Sequence, residues 1–116
     1  MIMTVYNLLK PLNLPVKFLQ RPDFGGNSIA ISYHFFNETD MQYGDGEPNK
    51  NGGSLQVDVF SQGGDYTQTV NDIKTILTTK GFLFSYSNDD IENLGNSEQI
   101  YHKIIRFNYI ESEVEK

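Results

Sequence analysis

Apolar residues recur along the chain in two rhythms, a strict alternation and a three-to-four-residue stripe, and these order the elements. In SIAISYHFF, residues 28–36, Ile29, Ile31, Tyr33 and Phe35 share one face, and Ser28, Ala30, Ser32, His34 and Phe36 share the other. This predicts a strand with one dry face. SLQVDVF, residues 54–60, repeats the pattern, with Leu55, Val57 and Val59 opposed to Ser54, Gln56 and Asp58. The two strands pair most simply as an antiparallel hairpin. Over residues 100–110, Tyr101, Lys103, Ile105, Phe107 and Tyr109 alternate with His102, Ile104, Arg106, Asn108 and Ile110. Both rows are partly apolar, so this strand is expected in the interior of a sheet or beneath a partner. Shorter extended pieces are predicted at 16–18, after Pro15, and at 82–86, FLFSY.

The stripe rhythm marks two helices. Val5, Leu8 and Leu9 form one side of a short helix over 3–10 that must stop before Pro11. Tyr66, Val70, Ile73 and Leu77, widened by Ile76, give the longer helix its buried side. Asp65 is expected as its N-cap, Gln68 completes a capping box, and Gly81 after Lys80 is the expected stop. The predicted fold is α+β: one domain over 1–116, with a mostly antiparallel sheet of four to five strands, a short N-terminal helix and one well-capped helix packed on it.

The polar segments complete the map. RPDFGGN (21–27) and SNDDIENLGNSEQ (87–99) read as connections, and the acidic tail ESEVEK (111–116) is expected to fray. The longest, NETDMQYGDGEPNKNGG, is expected over 37–53 as one flexible loop. Loops longer than about fifteen residues in a compact domain are usually functional or ordered by a partner.

Charge and composition narrow the chemistry. Fifteen Asp and Glu against nine Lys and Arg give a net charge of −6, the wrong sign for tight nucleic-acid binding, though not for DNA passing a surface that repels it. With no cysteine there are no disulfides and no thiolate sites. No apolar run reaches the eighteen or so residues of a membrane span. The apolar start lacks a positive leader and is broken by Lys10, Pro11 and Pro15, so it is expected to belong to the fold.

Catalytic candidates are few. His34 and His102 stand mid-strand without the carboxylate spacing of a triad; paired strands would let them meet, but two ligands rarely make a metal site. Asp89, Asp90 and Glu92, and Asp40, Asp45 and Glu47, lack the order of a calcium loop and read as solvated acids. The glycine pairs at 52–53 and 63–64 and the GDG at 44–46 lack a phosphate-loop lysine and read as backbone hinges. An enzyme would need a carboxylate site from Asp58, Asp89 and Asp90, which no histidine or serine constellation supports. No catalytic, metal or cofactor site is therefore assigned. The loop itself offers contacts: Met41 and Tyr43 as apolar contact residues, or, with the loop folded back, Tyr43 as a cap on the domain's own core, and Glu38, Asp40, Asp45, Glu47 and Lys50 as a charged rim.

The whole pattern resembles the tail terminator and tail completion proteins, the head–tail joining family of long-tailed, non-contractile phages and prophages. The likeness rests on the N-terminal helix and VKFL strand, the SIAISYHFF strand, the long loop, SLQVDVFSQGG running into DYTQTVNDIKTIL, and the closing YHKIIRFNYIES with His102 and the Arg106–Phe107 pair. It implies a non-enzymatic virion protein, made in the host bacterial cytoplasm, with no cofactor and no membrane. Such a protein forms a homohexameric ring at the head-proximal end of the tail, as a monomer or ring before assembly. The ring ends tube polymerisation against the tail tube protein and docks the head–tail connector or head-closure protein, and DNA passes through it. The competing reading from residues alone is a small immunity- or antitoxin-like module that sets an acidic loop against a basic partner.

Overall fold

The computed structural model describes residues 1–41, 50–63, 65–93 and 99–115. Helix α1 (Ile2–Leu9) runs into a 3-10 turn (Lys10–Leu12), followed by strands β1 (Val16–Phe18), β2 (Ile29–Met41) and β3 (Lys50–Ser61), helix α2 (Thr67–Thr79), and strands β4 (Leu83–Asn93) and β5 (Gln99–Ile110). The strands form one five-stranded sheet in the order β1-β2-β3-β5-β4. β1 joins β2 in parallel, and the other neighbours are antiparallel. The fold is α+β, with both helices on one face of a mostly antiparallel sheet.

Alternation decides which face is dry. Ile31, Tyr33, Leu55, Val57, Val59, Ile105 and Phe107 point to the helix side and are buried with Val5 and Leu9 of α1 and Val70, Ile73 and Leu77 of α2. At about 1.5–3 kcal/mol for each fully buried aliphatic side chain, the α2 stripe contributes an upper figure of about 5–9 kcal/mol. The Tyr33 hydroxyl donates to the Ile2 carbonyl at 2.8 Å and so pins α1 to the sheet. Burial, with a smaller influence from Tyr6, raises the pKa of Tyr33.

The ends of α2 are built differently from expectation at one end and as expected at the other. Tyr66 is the N-cap residue and offers no capping side chain. Asp65 instead accepts the Thr67 N–H at 3.2 Å, one residue ahead of a cap, while Gln68 donates to Asp72 at 2.8 Å along the helix surface. Gly81 does terminate the helix, at φ +106°, and the Phe82 N–H reaches back to the Leu77 carbonyl at 3.0 Å.

Three polar segments are more ordered than their composition suggests. The terminal tail turns through Glu111–Glu113, buries Val114 to 6% exposure, and the Glu115 N–H donates to the Lys80 carbonyl at 2.9 Å. Within the expected loop 37–53, the β2–β3 ladder shifts register between Phe36 and Thr39 and then continues through Thr39↔Gly52, Asp40↔Asn51 and Met41↔Lys50. Likewise β4 and β5 pair through Asp89↔Lys103, Ile91↔Tyr101 and Asn93↔Gln99, across residues expected to be a connection. Backbone pairing extends each ladder past its apolar residues.

Gly52 and Gly53 are therefore buried strand residues and not hinges. A Cβ on Gly53 would lie 3.1 Å from both the Phe36 carbonyl oxygen and the Glu38 Cα, and 3.2 Å from the Tyr109 hydroxyl. The bulge on β2, where Asn37 takes φ +52°, occupies that space.

Candidate functional site

Both helices cover one face of the sheet, which leaves the opposite face of β2, β3, β5 and β4 without a helix. Register sets its side chains in ranks that run across the strands. One rank holds His34, Gln56, Arg106 and Tyr86; the next towards one end holds Phe36, Ser54, Asn108 and Leu83. Towards the other end come Ser32, Asp58, Ile104 and Asn88, and then Ala30, Phe60 and His102.

A polar network joins these ranks. Asp58 is 6% exposed, and its Oδ1 accepts from His102 Nε2 at 2.8 Å and from Gln56 Nε2 at 2.9 Å. Because a carboxylate only accepts, His102 carries its proton on Nε2 and Gln56 turns its amide nitrogen toward Asp58. The Gln56 carbonyl oxygen is then left facing Arg106, whose Nε–H donates to it at 2.9 Å. His34 Nδ1 stands 3.9 Å from Asp58 Oδ2, an ion-pair distance too long for a hydrogen bond.

Aromatic rings brace both ends of this network. Phe60 stacks on the His102 ring, with centroids 4.4 Å apart, and Arg21 lies over Phe60 at 5.2 Å. At the other end the Arg106 guanidinium lies 5.3 Å from the Phe36 ring and 5.4 Å from that of Tyr86. In the strand order β4 borders β5 on one side and β2 lies beyond β3 on the other, so the two rings come from opposite sides of β5. Beside them opens a groove of about 440 Å³ walled by Asn37, Ser54, Leu83, Asn108 and Ile110.

The strands of the two histidines do not pair, since β3 lies between them, and each ring instead faces Asp58 on that middle strand, His102 at 2.8 Å and His34 at 3.9 Å. Among the described residues no group of three or more His, Cys, Asp or Glu side chains is placed to hold a metal ion. Two of the three acids weighed for an enzyme, Asp58 and Asp89, are not brought together. Asp89 pairs with Lys103, on the helix side of β5, whereas Asp58 lies on the open face, so the sheet separates them. Asp90 occupies the strand position opposite His102.

Asp89 belongs to a second cluster, at the start of α2. The Tyr66 hydroxyl donates to Asp89 Oδ1 at 2.5 Å and Lys103 Nζ donates to Oδ2 at 3.2 Å. The Tyr66 bond first, and Lys103 after it, hold the Asp89 carboxyl below its ordinary range. Burial and the same carboxylate push Tyr66 up to about 12. Lys74 Nζ lies 4.5 Å over the Phe84 ring, and Asp89 is engaged on both oxygens, so the cluster reads as a brace between α2 and the β4–β5 hairpin.

Of the residues expected to make contacts from the long loop, Glu38 is exposed on the β2 bulge, and its charge, after burial, helps to raise the Tyr109 hydroxyl pKa. Asp40 and Met41 continue β2, with Lys50 opposite Met41. Tyr43, Asp45 and Glu47 lie outside the described residues, as do the GDG at 44–46 and Gly64. From the sequence Gln56 has no assigned role, Arg106 enters only through the family resemblance, and Asp58 only through the enzyme alternative. Their signal was the polar row of each strand, which turns into a site only when the register between strands is known.

No family model matches the chain, and no curated protein matches it in sequence. Among solved structures it is similar to a chain from the virion of a native gene transfer agent particle, at 8% identity and a TM-score of 0.48 over 91% of this chain and 90% of that one. At that likeness no property of the particle passes to this chain.

Proposed function

We propose that the protein is a structural component of a phage-type virion, a ring subunit that closes the head-proximal end of a tail tube, ends tube growth and joins the tail to the head connector. The observation that carries the reading is that its two long hairpins leave the sheet at opposite ends. Beyond the last pair that β3 makes with β5, Gly52↔Ile110, β2 and β3 continue as a two-stranded arm through Met41↔Lys50. Beyond Ser61↔Tyr101, at the other end, β4 and β5 continue through Asn93↔Gln99. The molecule is accordingly long, with extents of 58 × 26 × 20 Å. An adaptor between two assemblies needs contacts at two ends, and a subunit in a closed ring needs lateral edges; β1 and β4 provide these as the outer strands of an open sheet. In this reading Glu38, Asp40, Met41, Tyr43, Asp45, Glu47 and Lys50 make the contacts of one arm, and the net charge of −6 keeps DNA from adhering as it passes.

The test has two parts. Light scattering across a concentration series followed by negative-stain images should show closed six-fold rings, in isolation or on tail ends. Replacing residues 42–49 by a two-residue Asn-Gly turn should leave a folded chain that no longer caps tails. Infectious particles assembled from that variant would sink the proposal.

A further inference from the structure

We propose that Arg106 anchors a docking site for an acidic segment of another protein chain, which sets a side-chain carboxylate on the guanidinium and an adjoining apolar side chain in the groove beside Leu83. The inference is independent of the tail-capping reading. It starts from a charge that is left over. Among the described residues the hydrogen bond of Arg106 goes to Gln56 and its ring contacts to Phe36 and Tyr86, and it has no carboxylate partner there, although the chain carries fifteen acids. The buried acid of this face, Asp58, is committed to His102 and Gln56.

The guanidinium is also held in place. Gln56 takes its Nε–H, and its own orientation is forced by Asp58, while the Phe36 and Tyr86 rings lie 5.3 and 5.4 Å from the guanidinium. The two Nη groups then remain as a pre-set fork of the kind that matches a carboxylate in two parallel bonds. Holding the fork in advance removes side-chain ordering from the cost of binding. Next to it, in the adjoining rank, Leu83 is 67% exposed and lines the groove together with Ile110, Asn37 and Asn108. An acidic residue with an apolar neighbour is the peptide chemistry that uses both halves.

A nucleic acid fits less well. Phosphate tracking needs several cations in series, and this rank has one guanidinium on a chain of net charge −6.

The experiment titrates the 15N-labelled full chain with the capped peptide acetyl-Leu-Glu-Leu-amide, its Gln counterpart, inorganic phosphate and an eight-nucleotide oligo-dT, reading the Arg106 Nε–H, the Gln56 side-chain amide and the Leu83 backbone amide. The Glu peptide should give saturable shifts at all three, with at least tenfold weaker binding of the Gln peptide. Arg106→Lys keeps the charge but loses the fork and should weaken binding at least tenfold. Tyr86→Leu, at an exposed position, should weaken it severalfold with an unchanged fold by backbone shifts. Arg21→Lys, at the far end of the face, should change nothing. Equal binding of the two peptides, full binding by Arg106→Lys, or tighter Arg106-dependent binding of phosphate or oligo-dT would each overturn the assignment.

Discussion

Replacing Gly81 by Ala tests how the C-terminal tail is fastened to the fold. Gly81 stands at φ +106°, where an L side chain is strained by about 1–2 kcal/mol, partly offset by about 0.4–1 kcal/mol of lost freedom in the unfolded chain. That leaves a net penalty of about 1 kcal/mol from backbone conformation alone. Gly26, at φ +85° with nothing near its missing Cβ, isolates that contribution. At Gly81 the added carbon also runs into the Glu113 carbonyl oxygen and approaches the Val114 Cα to 3.3 Å. The tail must move away, which exposes the buried Val114 and breaks the Glu115–Lys80 backbone bond. Losing one valine's burial costs about 1.5–3 kcal/mol, so Gly81→Ala should destabilise by about 3 kcal/mol against about 1 for Gly26→Ala. Urea unfolding at constant m-value measures both. Truncating the chain after Ile110 removes the obstacle, so in that background Gly81→Ala should fall back to about 1 kcal/mol, a coupling of about 2 in a double-mutant cycle. Equal penalties at Gly26 and Gly81, or no change on truncation, would show that the tail does not pack against the end of α2.

Asp58→Ala leaves His102 Nε2–H and the Gln56 amide without their acceptor on a nearly buried carboxylate, and should cost about 2 kcal/mol in the same unfolding assay, with Asp58→Asn intermediate. Tyr33→Phe removes the bond to the Ile2 carbonyl and should cost about 1 kcal/mol, seen first as faster amide exchange in α1. The stability difference between wild type and Tyr66→Phe should be flat across neutral pH and shrink at both extremes. Asp89 has a lowered folded pKa, so its contribution is present above its unfolded value and lost as pH falls through the folded one; Tyr66 is raised to about 12, so its contribution is present below its unfolded value near 10 and lost as pH rises toward 12. A difference that holds constant below pH 3 and above pH 11 would argue against the Tyr66–Asp89 bond.

The open face has two different ends. At the Asp58 end the polar groups satisfy one another, and Phe60 and Arg21 lie over them, which suits a structural role for His102. At the Arg106 end the network finishes on a cation that has no carboxylate partner among the described residues. Burying an ionic pair within a sheet face gives little net stability, whereas a fork left outward can select a partner.

What the sequence determined by itself was set by local rules. Alternation placed Ile29 to Phe35 and Leu55 to Val59 on dry faces, the stripe from Val70 to Leu77 set the buried side of α2, and Gly81 set its end, because each depends only on the residue and its near neighbours. The two apolar rows of the last strand foretold its interior place between β3 and β4. Tertiary structure decided the rest. The strands ran on through polar residues at 39–41, 50–53 and 87–93 because a ladder needs backbone partners and not apolar side chains. The tail packed because Val114 found a place beside Gly81, a contact that spans the length of β4 and β5. His34, Gln56, Asp58, His102 and Arg106 carry no motif, since they come from three strands, and only the order β2-β3-β5-β4 and its register make them one surface.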